Sequence, residues 1–240
     1  MSKPTSELPA RPPVVDRVEW ERSRDALLAL EKTETRAKDE ASAARRRLPM
    51  VEVGEYVFDG ADGPVSLFEL FHGFRQLVVQ HFMFEPEWTE GCPSCSNLAD
   101  QIGPLVHLQA YDITVARISR APIDRLLAYN ARMGWEPRWV SSEHSPFNRD
   151  FGWTQDTGEV PGISVYLRDG DRVYQTYATT GRGVESLSSL TGYLDLAPFG
   201  RQEDWQDSPA GWPQQAPHQR NRRKDEYGAV PVSIASRPAR

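Results

Sequence analysis

The sequence predicts an α/β fold: a central mixed sheet flanked by helices, with a long helical arm before it and an irregular tail after it. Three observations lead there. From Val51 onward, β-rich apolar runs alternate with segments of helical spacing. A C-x-x-C pair, Cys92 and Cys95, falls where a strand hands over to a helix. After Pro161, two alternating runs flank Asp169-Gly170, the signature of a tight antiparallel hairpin.

Composition narrows the classes. The chain has 240 residues, enough for one sizeable core with appendages. Its formal charge is −6 and its pI about 5.5, which argues against a nucleic-acid partner. The opening "MSKPTSELPARPPVVD" is polar and Pro-rich, without the apolar stretch of a signal peptide. No run of 18 apolar residues is present, so no membrane partner is expected. Two cysteines make no disulfide scaffold, and the expected location is the cytoplasm, where a disulfide is transient.

The elements follow in order. Residues 1–16 read as a disordered tail. Residues 17–48 contain neither Gly nor Pro and end before Pro49, so they read as one long helix. Trp20, Leu27, Leu30 and Leu48 lie on a heptad-like seam, expected to be buried on the chain's own domain or in a homodimer contact with a second copy. Residues 49–200 form the domain. Within it Arg75 to Phe84 reads as a buried central strand, and Pro93 suits the first turn of the helix that follows. Leu98, Ile102 and Leu105 are spaced as one buried helix face. "DITVARIS" is a further strand, a helix starts near Pro122, and "PRWVSSEH" is a strand running into a loop. Residues 201–240, rich in Gln, Pro, Arg and Asp, read as an irregular extension.

The chemistry centres on the cysteines. A cysteine at a helix N-terminus faces unpaired N–H groups and the positive end of the dipole, which favours its thiolate. A second cysteine one turn on can attack a mixed disulfide formed at the first. Cys92 is therefore the expected nucleophile and Cys95 the resolving thiol of a thiol-disulfide oxidoreductase. No metal or organic cofactor is implied beyond that reversible disulfide, and the expected partner is a protein or small-molecule thiol or disulfide. Trp88, close before Cys92, is expected beside the site. Glu85, Glu87 and Glu90 bear on its energetics, since a unit charge about 8 Å from the sulfur at an effective dielectric near 40 costs its anion about 1 kcal/mol.

The segments "HFMFEPEWTEGCPSCSNLAD", "RMGWEPRWVSSEHSPFNRDFG", "PGISVYLRDGDRVYQTYAT", "GYLDLAPFGRQ" and "RRKDEYG" resemble the thioredoxin-like family called domain of unknown function 899. Its members carry the label of predicted dithiol-disulfide oxidoreductases, and the resemblance runs from the helical arm to about Tyr227. It implies a thioredoxin-like fold and places the redox pair on Cys92 and Cys95. Pro161 before the hairpin resembles the cis-proline that faces the cysteines in thioredoxin folds, so a cis Val160–Pro161 bond is expected. The sequence departs from the family's pattern at Glu85 and Lys224, where members often carry Gly and a histidine or aromatic.

Three alternatives remain open. Zinc would need two histidines beside the two cysteines. Of His72, His81, His107, His144 and His218, His81 could approach from the preceding strand and His107 from the helix itself. A peroxiredoxin-like thiol peroxidase is the second, since Thr89 stands three residues before Cys92, although the proline expected four residues before that threonine is displaced to Pro86. The third is a non-catalytic binding module. The long segment "SSEHSPFNRDFGW" offers His144, Asn148 and Arg149 as further pocket residues.

Overall fold

The computed structural model describes residues 11–228. The arm is α1 (Arg17–Arg45), whose N-cap Asp16 accepts a hydrogen bond from the Glu19 amide. Three short strands follow: β1 (Val51–Val53), β2 (Val57–Gly60) and β3 (Gly63–Ser66). A 3-10 turn at Glu69–Phe71 leads into β4 (Gln76–His81). Then come α2 (Pro93–Asp100), α3 (Val106–Gln109), β5 (Ile113–Ser119), α4 (Ile123–Met133) and β6 (Arg138–Ser141). The connection to the hairpin holds α5 (Phe147–Asp150), β7 (Thr154–Gln155) and β8 (Gly158–Glu159). The hairpin is β9 (Gly162–Asp169) and β10 (Arg172–Thr180), and α6 (Ser189–Leu196) follows a 3-10 stretch.

Eight strands share one sheet in the order β1-β10-β9-β4-β5-β6-β2-β3. β4, β5 and β6 are parallel, joined by helical crossovers, while β9 runs antiparallel to both β4 and β10. A central strand followed by the C-x-x-C helix, a parallel neighbour on one side and an antiparallel hairpin on the other make this a thioredoxin-like fold.

The period of two along the strands sorts the core into two halves. Leu77, Val79 and Tyr166 face a cluster with Phe58, Phe71, Ile118 and Phe147. The opposite face packs Phe82, Cys92, Cys95, Ala99, Leu126, Tyr129, Met133 and Trp139 beneath α2 and α4. Both faces of the central strands are covered, which is why "QLVVQH" reads as a nearly continuous apolar run.

Several expectations change. The arm's seam is not buried on the domain: Trp20, Leu27, Leu30 and Leu48 are all exposed, and α1 has no buried residue. Its half-buried positions are Arg24, Leu28 and Glu31, one residue round from the expected stripe, with Ser42 and Ala43 near its end, and Arg45 lies over the Tyr177 ring at 4.8 Å. The helix expected from Cys92 through Leu105 breaks after Asp100, because Gly103-Pro104 cannot continue it; Leu105 is buried ahead of α3, and Leu98 and Ile102 are half-buried. No cis peptide bond occurs among the described residues, so Val160–Pro161 is trans. The short β7–β8 ribbon delivers the chain to β9 in an extended path: the Val160 amide donates to the Trp153 carbonyl at 2.8 Å. The Pro161 carbonyl accepts the Thr180 hydroxyl at 2.5 Å. The tail expected over residues 1–16 lies largely outside the described residues, and the C-terminal extension is described only as far as Gly228.

Candidate active site at the head of the second helix

Cys92 is the N-cap of α2 and Pro93 its first residue. This is the one helical position where the missing amide of proline removes no hydrogen bond. The Cys92 amide donates to the Met83 carbonyl at 3.1 Å, tying the helix start to the chain leaving β4. The Cys92 carbonyl accepts both the Ser96 amide at 2.9 Å and the Ser96 hydroxyl at 2.8 Å. That hydroxyl is 2.9 Å from the Tyr129 phenol of α4, so the first turn of α2 is fastened to the next helix. Gly91 packs flat here: a Cβ on it would stand 2.6 Å from the Phe82 ring, closer than any side chain tolerates.

The two thiols are free and differ in environment. Cys92 is 8% exposed and Cys95 5%. The Cys95 thiol donates to the Cys92 sulfur, which also accepts the Cys95 and Ser94 amides and lies near the Arg223 cation; against the opposing effect of burial, these lower its pKa to about 6. Cys95 is pushed well above the ordinary thiol range by its hydrogen bond to Cys92, by burial and by the charge on Cys92. The two environments thus act in opposite directions, favouring the anion at Cys92 and the protonated thiol at Cys95.

An open cleft of about 400 Å³ reaches Cys92, lined by Glu87, Trp88, Thr89, Glu90, Gly91, Pro93 and Arg223. Trp88 also packs against the cysteine cluster, and the Arg125 guanidinium donates to the Trp88 carbonyl at 2.7 Å and to the Pro86 carbonyl. Of the acidic residues on the approach, Glu90 is the one held in ion pairs. Glu90 is held by Arg132 at 2.6 Å and by Arg223 at 2.9 Å.

Behind the pair lies a buried cation. Arg117 on β5 is fully buried, and burial lowers its pKa to about 10. Its Nε donates to Gln80 Oε1 at 3.1 Å, and Gln80 Nε2 donates to the Cys95 carbonyl at 3.0 Å. Its guanidinium lies 4.6 Å from the Trp135 ring centroid.

The other sequence-derived residues fall elsewhere. His81 sits next to Gln80 in β4 and so points to the opposite face of the sheet. It is buried there, stacked on Trp153 at 3.8 Å and 2.8 Å from the Ser164 hydroxyl, and burial holds it neutral. His107 is exposed on α3. His144 is exposed and paired with Asp59 at 2.8 Å on the far side of the sheet. Asn148 is buried, donating to Glu159 at 3.1 Å, and Arg149 is exposed. Pro161 precedes Gly162, the register partner of His81, and so lies at the same sheet end as the cysteines. Among the described residues no group of three or more His, Cys, Asp or Glu is placed to hold a metal ion.

Sequence reasoning missed Arg223, Arg117 and Gln80. Arg223 lay in the quoted "RRKDEYG", a cationic run in an acidic chain, which was a usable signal. Arg117 and Gln80 alternate in phase with the cysteine face only once the strand register is known.

Comparison with known proteins gives one family and several distant structures. The model of the family described as "Bacterial protein of unknown function (DUF899)" matches residues 9–227. No curated protein matches the sequence. Among solved structures, the peroxidoxin BcpB from Mycobacterium tuberculosis is similar at 15% identity and a TM-score of 0.45, covering 60% of this chain and 97% of that one. The bacterioferritin comigratory protein of Xanthomonas campestris, whose structure was described for its alkyl peroxide reduction activity, gives 13% identity and a TM-score of 0.41, covering 57% of this chain and 90% of that one. A thiol:disulfide interchange protein DsbE from Chlorobium tepidum gives 13% identity and a TM-score of 0.39, over 57% of this chain and 91% of that one.

Proposed function

Starting from the fact that the chain belongs to the DUF899 family of bacterial proteins, we propose that it is a thiol-disulfide oxidoreductase with Cys92 as nucleophile and Cys95 as resolving thiol. The observation that carries this reading is the asymmetry of the pair: one sulfur at a helix N-terminus with its pKa lowered to about 6, the other buried and protonated.

The Cys92 thiolate attacks one sulfur of a substrate disulfide, the S–S bond breaks, and the other substrate sulfur leaves as thiolate. Cys92 now carries no charge. The hydrogen bond to a thiolate and the charge beside Cys95, two of the three causes that raised its pKa, are gone. Cys95 can then lose its proton to the departing thiolate or water, attack the Cys92 sulfur and expel the second substrate thiolate. Two electrons have passed from the dithiol to the substrate, and an external dithiol restores the pair. The opening at Trp88, Thr89 and Glu87 is where substrate approaches.

Turnover separates this from the peroxidase reading, in which Thr89 assists peroxide attack at Cys92. The reduced protein is expected to reduce mixed aromatic disulfides and protein disulfides stoichiometrically and, with excess dithiol, catalytically. Hydrogen peroxide and alkyl hydroperoxides should be consumed far more slowly. Peroxide consumption faster than disulfide reduction would transfer the assignment to the peroxidase.

A further inference from the structure

The segment after α6 closes back on the cysteine helix. Asn221 Nδ2 donates to Ser94 Oγ at 3.1 Å, in the first turn of α2. Lys224 Nζ lies 3.0 Å from Asp100, at the other end of that helix. Asp225 pairs with Arg132 of α4 at 2.6 Å. Between them Arg223 turns inward, its side chain 13% exposed, and opens a two-pronged hydrogen bond onto one acceptor: Nε and Nη2 donate to the Gly91 carbonyl at 3.1 and 2.7 Å. Its Nη1 is 2.6 Å from Glu226 and 2.9 Å from Glu90.

The charged and titratable groups facing Cys92 come from four directions. Cys95 belongs to α2. Glu87 and Glu90 belong to the preceding loop, Tyr129 and Arg132 to α4, and Arg223 and Glu226 to the returning segment. Both Arg132 and Arg223 are paired with two carboxylates, but Arg132 does not line the cleft at Cys92. Arg223 is the cation that both lines the cleft and touches the backbone entering the nucleophile.

We infer that Arg223 is a positioning residue for the chemistry at Cys92: its guanidinium pins the Gly91 carbonyl, fixing the chain direction into the nucleophile, and supplies the positive charge that offsets Glu87 and Glu90 beside the thiolate. The inference rests on Cys92 being the nucleophile. Arginine suits both tasks, because its planar fork grips one carbonyl with two donors while its charge persists at every accessible pH. The strap and the thiolate are thermodynamically linked. Whatever strength Arg223 adds to the anion, the anion adds to docking of the strap.

The test is the pH profile of Cys92 alkylation by iodoacetamide, with the labelled peptide identified by mass, in the reduced wild type and in Arg223→Gln and Arg223→Lys. Arg223→Gln should raise the apparent pKa of Cys92 by up to about one unit, the order of effect of one unit charge lining the same partly screened cleft. From a starting value of about 6 that slows alkylation at pH 6 roughly five-fold. Arg223→Lys keeps the charge and loses the fork, and should recover at least half the shift. A profile unchanged in Arg223→Gln overturns the inference, as does Arg223→Lys behaving like Arg223→Gln, because the fold of the strap rather than the cation would then set the sulfur. If Arg223→Gln does not fold, the Arg223→Lys comparison with wild type decides: a shift of a full unit with charge retained overturns it. Alkylation needs no disulfide substrate. An unaltered profile with intact turnover therefore removes Arg223 alone, whereas absent turnover in the wild type removes the redox reading.

Discussion

Cys92→Ser is expected to abolish disulfide reduction, and Cys95→Ser to accumulate covalent adducts with its substrate. The asymmetry follows from the site. Serine at position 92 leaves Cys95 as the only sulfur, and Cys95 is buried behind the cleft lining, where burial alone still opposes its thiolate, so it does not reach substrate. Serine at position 95 leaves the Cys92 sulfur in the cleft at the head of α2, still facing the Ser94 amide. Attack then proceeds and resolution does not. The largest cause lowering the Cys92 pKa, the hydrogen bond from the Cys95 thiol, is weakened by the shorter serine, so the trapping reaction should run best above neutral pH. Non-reducing electrophoresis of both variants after mixing with a protein disulfide reads the outcome. Adducts on Cys92→Ser and none on Cys95→Ser would reverse the assigned roles.

The largest effect on stability is expected at Arg117. Arg117→Ala should cost about 3–5 kcal/mol, since it empties the space against Trp135 and removes the donor to Gln80 in a fully buried site. Arg117→Met should cost less than half as much: it refills most of that volume and removes a cation that burial penalises and that no carboxylate directly contacts among the described residues. Both variants free the Gln80 amide to turn, and with it the hydrogen bond to the Cys95 carbonyl. Denaturant melts of the three proteins provide the measurement. Arg117→Met as unstable as Arg117→Ala would show that the charge itself, not the packing, holds this layer together.

The fold and the place of the cysteine pair at a helix start were legible because they depend on local rules. The apolar run of β4, Pro93 at the start of α2 and the Asp169-Gly170 turn each encode their element within a few residues. What was not legible depends on which residues meet across the fold. His81 precedes the motif in sequence, yet strand parity turns it away from the cysteines toward Trp153. The heptad reading of α1 placed Leu27 on the covered face, whereas Leu28 is the half-buried neighbour, a difference that spacing alone does not resolve in a helix with few large apolar residues. The strap around Arg223 has no periodic pattern because polar contacts with Gly91, Ser94, Asp100 and Arg132 hold it rather than a buried apolar face. The trans bond at Pro161 likewise reflects the route from β8 into β9, which the flanking residues do not specify.

The central claim is that Cys92 and Cys95 form one reversible two-electron couple. Equilibrating the protein with glutathione buffers across a range of potentials, then labelling free thiols and weighing the intact chain, tests it directly. The account predicts two species, one with two labels and one with none and two hydrogens lighter before labelling, exchanging along a single two-electron curve. Two labels at every potential, or a glutathione adduct at Cys92 that Cys95 never displaces, would contradict it.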